Sequence, residues 1–532
     1  MDTPNPTPPA VDPSAAPKPA PTPTFDDLDR DHAARTARAL AMGGEAKLAR
    51  RRAEGILNAR ERIAHLCDDG SFTEFGLFAQ STREADRART PADGKISGIV
   101  RIDSRPVAVV SNDFTVMGAS SATVNGRKVG HIKDLATKRG LPIVFLGEST
   151  GARMPDVMGA RGIGAGDKPT QYRRMRETPW ASGVLGHCYG SSSWYAALSD
   201  FVVMRKGAIM AVSSVKLTSM AISESMQPED LGGWRMHTDV TGMADLAVDS
   251  DEAALDAIRR FLSYMPSHHG ERPPRADAGQ RPAPDGRRIR ELLTLSRTQV
   301  YDMRRILASI VDVDSMFEMK ARFAKNIVTA LARIEGHVVG IVANNPLHKG
   351  GAIDVDACEK ATAFMVMCDS FNIPLLFFVD QPGFLIGIEG ERRGAVGRVM
   401  NWMNALSLVT VPKFSIIVRK TYGQAVLNMG GGGNADVVLM WPSAEVNFMD
   451  PRHAVTIVHG ITRADDPARF DAHLAEMELE TSAYAMASAY NGHLVVQPED
   501  TRATLHELLE TIGLRSSDGI GEHLMRTWPT SY

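Results

Sequence analysis

The chain has 532 residues, enough for two or more domains with cores of their own. Hydrophobic residues make up 43% and charged residues 23%, a globular balance, and apolar runs such as Ile373 to Val379 fall far short of the ~20 residues that span a bilayer, so no membrane segment is expected. A net charge of -3 argues against a protein built mainly to hold nucleic acid; only local basic clusters remain as sites for phosphate.

Residues 1–24, "MDTPNPTPPAVDPSAAPKPAPTPT", are dominated by Pro and Ala. They have no basic n-region and no apolar h-region, which excludes a secretory signal and predicts a disordered tail with polyproline character. Residues 25 to about 66 predict helix: Arg, Ala, Leu and Glu abound, and "ARERIAHL" has apolar residues at helical spacing. "DDGSF", Asp68 to Phe72, supplies the turn that ends it. A second polar break, residues 266–288, is rich in Pro, Arg and Asp without periodicity and reads as a linker between an N-terminal domain, 25–265, and a C-terminal domain, 289–532. Cys67, Cys188, Cys358 and Cys368 form no CxxC pair, which argues against a structural zinc or a disulfide framework and fits a reducing cytoplasm.

The two halves repeat one another. "RIDSRPVAVVSND" from Arg101 is matched by "RIEGHVVGIVANN" from Arg333, and "GLPIVFLGESTG" from Gly140 by "NIPLLFFVDQPG" from Asn372, both 232 residues on. Gly118-Ala119 falls on Gly350-Gly351 in that frame, and "CYGSSSW" from Cys188 meets "TYGQAVL" from Thr421 with a slip of one. The period is far too long for a solenoid and marks two copies of one domain. Each copy alternates β-rich and helical runs, which predicts an α/β fold with mostly parallel strands.

Gly147-Glu148-Ser149-Thr150-Gly151 has the G-x-S-x-G spacing of a nucleophile elbow. Ser149 falls on Gln381 in the second copy, so only one copy has a hydroxyl there. What the copies share is backbone: the strand, Pro142 and Pro374, Gly151 and Gly383. The expectation is a shape-determining turn rather than a nucleophile.

In order along residues 45 to about 515, "NDFTVMGAS", "STGAR", "DLGGWRMHTDVTGMAD", "NNPLHKGGAID", "FNIPLLFFVDQPGFLIG", "VRKTYGQA" and "MWPSAEVNFM" resemble signatures of the carboxyltransferase β subunits of acyl-CoA carboxylases, such as those acting on propionyl-CoA or acetyl-CoA. The resemblance implies two tandem crotonase-like ββα-spiral domains and a homo-oligomer, usually a hexamer, with active sites between the first domain of one subunit and the second of its partner. It implies transfer of a carboxyl group from carboxybiotin to the α-carbon of an acyl-CoA. Two carbonyl oxygens then gather negative charge, that of the thioester and that of the biotin ureido ring. The freed biotin nitrogen can take the α-proton, so the protein's task is two cradles of fixed N–H donors.

The raw material stands in both copies, because free N–H groups at a helix start point outward. By resemblance Gly190 and Ser191 hold the thioester oxygen, and Gln424 and Ala425, after Gly423, hold the biotin oxygen. Gly118, Ala119, Gly350 and Gly351 are loop positions whose lack of bulk lets a substrate approach. Leu427, two residues after Ala425, lies where relatives line the acyl pocket. The chain departs from its relatives, which mostly carry Gly-Gly where it has Gly190-Ser191 and Gly423-Gln424; "STGARMPDVMGARGIGAGDKP" also departs after the Gly-Ala-Arg. Without a Met-Lys-Met biotin-attachment signature or room for an ATP-grasp domain, it is expected to need a partner bearing biotin carboxylase and biotin carboxyl carrier. Two other readings stay open: a decarboxylase subunit running the same half-reaction backwards, and a non-catalytic paralogue.

Glu389 and Glu391, beside Arg392 and Arg393, predict a solvated charged loop. His348-Lys349 sits beside the Gly350 loop, as a surface element or as a contact to biotin or CoA phosphate. Arg153 reads as a buried structural ion pair with a CoA contact as the alternative. Gly430 to Gly433 is no Walker loop, for no GK[ST] follows. His187 and Cys188 are adjacent, poor geometry for one site, and no metal constellation is expected.

Overall fold

The computed structural model describes residues 22–160, 162, 170–277, 289–512 and 523–528. Most of the expected tail, and residues 278–288 of the expected linker, lie outside the described residues.

The single helical stretch expected over 25–66 is three helices, Phe25–Leu40, Glu45–Ala53 and Ala59–Leu66. Propensity favours helix throughout, but glycine ends it twice. Gly44 takes φ +92°, and a Cβ on Gly43 would lie 2.2 Å from the Thr115 carbonyl oxygen, so the chain turns there in close contact with the body of the domain. After Gly55, at φ +67°, Asn58 restarts the helix with a capping box: its side chain accepts from the N–H groups of Arg60 and Glu61, and Glu61 accepts from the N–H of Asn58.

Two sheets follow, each of eight strands. The first contains β1 (Thr73–Glu74), β2 (Lys95–Ile102), β3 (Arg105–Asn112), β4 (Ile143–Ser149), β5 (Trp180–Tyr189), β6 (Phe201–Arg205), β7 (Ile209–Ala211) and β8 (Leu246–Val248). Its order is β1-β2-β3-β4-β5-β6-β8, with β7 on the far end of β5. The second contains β9 (Phe317–Met319), β10 (Ile327–Ile334), β11 (His337–Asn344), β12 (Leu375–Gln381), β13 (Lys413–Tyr422), β14 (Val437–Met440), β15 (Glu445–Asn447) and β16 (Leu494–Val495), in the corresponding order. In each, an antiparallel trio leads into parallel strands. This is an α/β fold in two copies, as the repeat predicts, in the tandem ββα-spiral form that the resemblance implies.

The correspondence holds at the level of single residues. Lys95 pairs with Asn112 as Ile327 pairs with Asn344, and Ala108 with Ile143 as Gly340 with Leu375. Even the irregularity recurs: the ladder slips between Gly147 and Ser149, and between Val379 and Gln381. Helices Thr123–Arg139 and Val355–Ser370 cover equivalent faces, and each carries a lysine that gathers strand and loop carbonyls. Lys128 donates to Gly76, Ala92 and Lys95, and Lys360 to Lys320, Phe323 and Ile327. An ammonium has three donors, so three carbonyls satisfy it.

Apolar packing runs through both halves. Phe201 stacks on Phe261 at 4.9 Å and meets Phe317 of the second half at 5.4 Å, in one cluster that continues through Ile327, Phe364 and Trp402. The described part of the expected linker lies against the second half, where Asn372 Nδ2 donates to the His269 and Glu271 carbonyls and Ala276 N–H to that of Gly336. All four cysteines are buried, and among the described residues no helix is long and apolar enough to cross a membrane.

Each half also buries a carboxylate at the end of its second parallel strand. Glu148 accepts from Arg51 and Arg62, and Arg62 reaches on to Asp251 at 2.9 Å. In the second half Asp380 accepts from Arg419 and from the Tyr301 hydroxyl. Burial works against the Arg62 charge, but Glu148 and Asp251 outweigh it and hold the guanidinium protonated.

Candidate active site

β5 ends at Tyr189, and the chain turns through Gly190 at φ 62°, ψ -132° into the helix Ser191–Ala197. The N–H groups of Ser193 and Trp194 close back on the Gly190 carbonyl at 2.9 and 3.1 Å. Those of Ser191 and Ser192 belong to the open first turn, where a helix has no acceptor of its own. Facing this turn, residues 151–153 run beside Ser121 as a one-residue bridge: Ser121 N–H donates to Gly151 and Arg153 N–H donates to Ser121, both at 2.8 Å. Alternation along an extended chain turns the intervening Ala152 N–H to the opposite side. Ala152, Gly190 and Ser191 line one cavity of about 230 Å³. Two turns, each with a main-chain N–H that has no partner in its own element, thus border the same space. Ser191 keeps its side chain aside, its hydroxyl 2.8 Å from that of Ser121.

Ala152 carries no chemical signal of its own, and sequence reasoning passed over it. Its position in the repeat is the available clue: the bridge Ser121–Ala152 returns as Ile353–Phe384, 232 residues on. Gly118 and Ala119 stand behind this loop. The Gly118 carbonyl accepts from Thr150 N–H at 2.9 Å, a Cβ on Gly118 would meet the Thr150 side chain at 2.7 Å, and Ala119 is fully buried. Neither is among the residues lining the cavity; they shape it from outside.

The second half repeats the turn. Gly423 has φ 67° and opens a 3-10 helix, Gly423–Met429. Gln424 is exposed, Ala425 is buried, and Leu427, expected at the acyl pocket, is half-buried with its side chain under Gly432 and is not among the residues lining the first-half cavity of the same chain. A Cβ on Gly350 would meet nothing within 4 Å, so the space before that loop is open, whereas a Cβ on Gly351 would lie 2.4 Å from the Asp380 carbonyl oxygen. Within one chain the first turn packs on β4 and β5 and the second on β12 and β13.

Ser149 is not poised as a nucleophile. It is fully buried, its hydroxyl donates to the Ala119 carbonyl and accepts from Gly151 N–H, both at 3.1 Å, and no histidine reaches it among the recorded contacts of the described residues. Ser149→Ala is expected to leave carboxyl transfer within several-fold of the parent and to cost about 1 kcal/mol of stability, the worth of one hydrogen bond. A thousandfold loss of transfer would restore the hydrolase reading.

Lys95 enters the cavity from β2 beside its cross-strand partner Asn112. Its amine donates to the Ala119 carbonyl at 2.9 Å, and burial pulls it down to about 7. Asn112 Nδ2 donates to the Ser192 hydroxyl at 2.9 Å, which ties the sheet to the helix start. Neither residue carried a signal in the sequence.

The remaining candidates separate cleanly. Arg153 is buried and pairs with Asp93 at 2.7 Å, a structural ion pair. Glu389 and Glu391 are exposed on the short helix Ile388–Arg392, and Lys349 pairs with Asp354. His187 and Cys188 point to opposite faces of β5: the imidazole is exposed and bonded to the Tyr189 hydroxyl, while burial drives the Cys188 thiol up to about 12. Gly430, at φ 90°, is a turn packed on Ser415 and Ala435. Among the described residues the one grouping with metal-ligand reach is His337, His506 and Glu510, remote in the fold from either turn, and Glu510 is already bonded to Arg275 and His337.

The model of the carboxyl transferase domain matches residues 50–513. A propionyl-CoA carboxylase carboxyltransferase subunit from Haloferax mediterranei is 36% identical over 91% of this chain and 95% of that protein. The methylmalonyl-CoA decarboxylase subunit alpha of Veillonella parvula is 33% identical over 88% of this chain and 92% of its own length. In three dimensions the chain matches a transcarboxylase 12S crystal structure, with methylmalonyl-coenzyme A and methylmalonic acid bound, at a TM-score of 0.86 and 32% identity, over 93% of this chain and 97% of that one. With family model, relatives and fold in agreement, the chain belongs to the carboxyl transferase family, the crotonase-like carboxyltransferases of biotin-dependent acyl-CoA carboxylases and transcarboxylases.

Proposed function

We propose that this chain is the carboxyltransferase subunit of an acyl-CoA carboxylase, and that it works through two main-chain oxyanion holes, one per half. The observation that carries the reading is the pair of turns at Gly190-Ser191 and Gly423-Gln424: both follow the equivalent parallel strand, both start at positive φ, and both open a helical turn, whose first N–H groups have no acceptor of their own within it. The first holds the thioester oxygen with Ser191 and Ala152 N–H as donors, which steadies the negative charge that grows there as the α-carbon loses its proton. The second, Gln424 and Ala425 N–H, faces the ureido oxygen of biotin. Carboxybiotin, borne by a partner with the biotin carboxylase, supplies the carboxyl group and the nitrogen that takes the α-proton. Neither added side chain blocks its turn: Ser191 is bonded sideways to Ser121, and Gln424 is exposed. That favours an active subunit over a non-catalytic paralogue.

The two halves are taken as domains 25–265 and 289–532 joined by 266–288. A homo-oligomer, with the hexamer of the 12S relative as its pattern, would bring the second turn of one copy to the first turn of another. Ile386, Ile388, Val396 and Phe448 support this: they are two-thirds or more exposed, and the Phe448 carbonyl lies 3.3 Å from a Cβ built on Gly423. Such an apolar face is suited to a partner surface. The likeness to a methylmalonyl-CoA decarboxylase subunit keeps the reverse direction as a second reading.

The test is carboxyl exchange between malonyl- or methylmalonyl-CoA and free biotin, catalysed by the purified chain. Turnover is the expected result. Its absence across a panel of acyl-CoAs, with the biotin-bearing partner added, would leave the paralogue reading in place.

A further inference from the structure

The cavity that opens at Ser191 is deeper than two oxyanion donors require. It passes between β3, β4 and the helices Thr123–Arg139 and Ser191–Ala197, with walls of Val110, Val129, Phe145, Leu146, Trp194 and Tyr195. At about 230 Å³ it exceeds the ~150 Å³ of an apolar protein cavity that binds benzene. An acetyl or propionyl group would leave most of it empty.

One wall is not apolar. Lys95 is 3% exposed, and its single recorded hydrogen bond is to the Ala119 carbonyl. Lys128, by contrast, holds three carbonyls and Lys360 four. The acidic groups that face Lys95 are committed elsewhere: Asp93 binds Arg153, and burial keeps the proton on the Cys188 thiol, its pKa pushed up to about 12, while the other charges near Lys95, Arg153 and Lys128, are cations. The fold does not call for a lysine at this position. Ile327 occupies the same place in the second sheet, paired with Asn344 as Lys95 is with Asn112. A buried amine with unused donors, on the wall of a cavity, is unfavourable until an acceptor arrives.

We propose that this cavity receives the acyl group of the substrate, and that the group is at least benzene-sized, apolar along its length, and ends in an oxygen acceptor, a carbonyl or carboxylate, that Lys95 meets. The inference rests on the reading of Ser191 as a thioester oxyanion donor, which places the acyl chain at the cavity mouth. Asn112, on the same wall, holds Ser192 against the sheet.

The experiment compares CoA, propionyl-CoA, hexanoyl-CoA and adipoyl-CoA in calorimetric binding to the full chain and in carboxyl transfer with its biotin-bearing partner. Adipoyl-CoA is expected to bind at least tenfold more tightly than propionyl-CoA and several-fold more tightly than hexanoyl-CoA. Lys95→Ile, which copies the residue of the second half, should erase the adipoyl preference over hexanoyl and leave the thermal transition in place. Equal affinity for propionyl- and adipoyl-CoA in the parent overturns the inference, whether or not the variant folds. So does an unchanged preference in Lys95→Ile. In both cases transfer to a short acyl-CoA would keep the carboxyltransferase reading, whereas failure of every acyl-CoA to bind would remove both.

Discussion

Replacing Ser191 with proline is expected to lower the rate of carboxyl transfer by 10² to 10³, about 3–4 kcal/mol, the usual worth of one oxyanion-hole donor. The substitution removes a hydrogen-bond donor at little cost in structure. Ser191 is the first residue of its helix, where proline's fixed φ suits the turn and its missing N–H deprives the helix of nothing. Affinity for acyl-CoA should change little, because the lost interaction strengthens only as charge develops on the oxygen. Ser191→Gly keeps the donor, so it should stay within a few-fold of the parent. Rates for both variants, read beside their thermal transitions, separate a missing donor from a damaged fold. A proline variant that keeps more than a tenth of the activity would show that the thioester oxygen rests elsewhere.

Arg62→Met is expected to destabilise the first half by about 3–5 kcal/mol, the range for breaking a buried charge pair by removing one partner. Arg62 is fully buried between Glu148 and Asp251, with 2.7 and 2.9 Å contacts. Methionine fills much of the volume and carries no charge. Asp251 keeps Arg205 at 3.0 Å and Glu148 keeps Arg51, but each loses a charge-assisted hydrogen bond in a site that water does not reach. Because Glu148 stands one residue before Ser149, on the strand that leads to Ala152, the damage should extend to the oxyanion loop and lower transfer along with stability. The exposed pair Arg35–Asp31 is the control. Arg35→Met should leave the thermal transition unchanged, since such pairs contribute little. A buried variant as stable as this control would mean that the first half relaxes around the lost guanidinium.

Much of this architecture is legible in the chain because duplication writes the fold twice. The constant offset between "RPVAVVSND" and "HVVGIVANN" fixes strand equivalence before any strand is seen, and the register confirms it residue by residue. Gly190 and Gly423 are legible for the same reason: a positive φ at both turns leaves glycine as the residue that fits without strain. The breaks at Gly44 and Gly55 are not, since a lone glycine in a helical pattern reads as tolerated, and what ends the helix at Gly43 is contact with Thr115 across 72 residues of sequence. Ala152 is invisible because the contribution proposed for it is a peptide N–H, which every residue but proline has. Lys95 is invisible because only burial makes it unusual, and that burial comes from elements lying up to a hundred residues away. Ser149 shows the opposite failing: a five-residue pattern suggests chemistry, and the structure supplies only a turn.

The aromatic stack of Phe201, Phe261 and Phe317 bears on how the molecule can be handled. A gene divided between the repeats would encode two fragments, each with a raw oily flank where the other had been. Made apart, they should clump; made together, they should find one another and recover a working enzyme. Duplication has left this protein with two look-alike pieces, each of which is expected to need the other to cover its apolar flank.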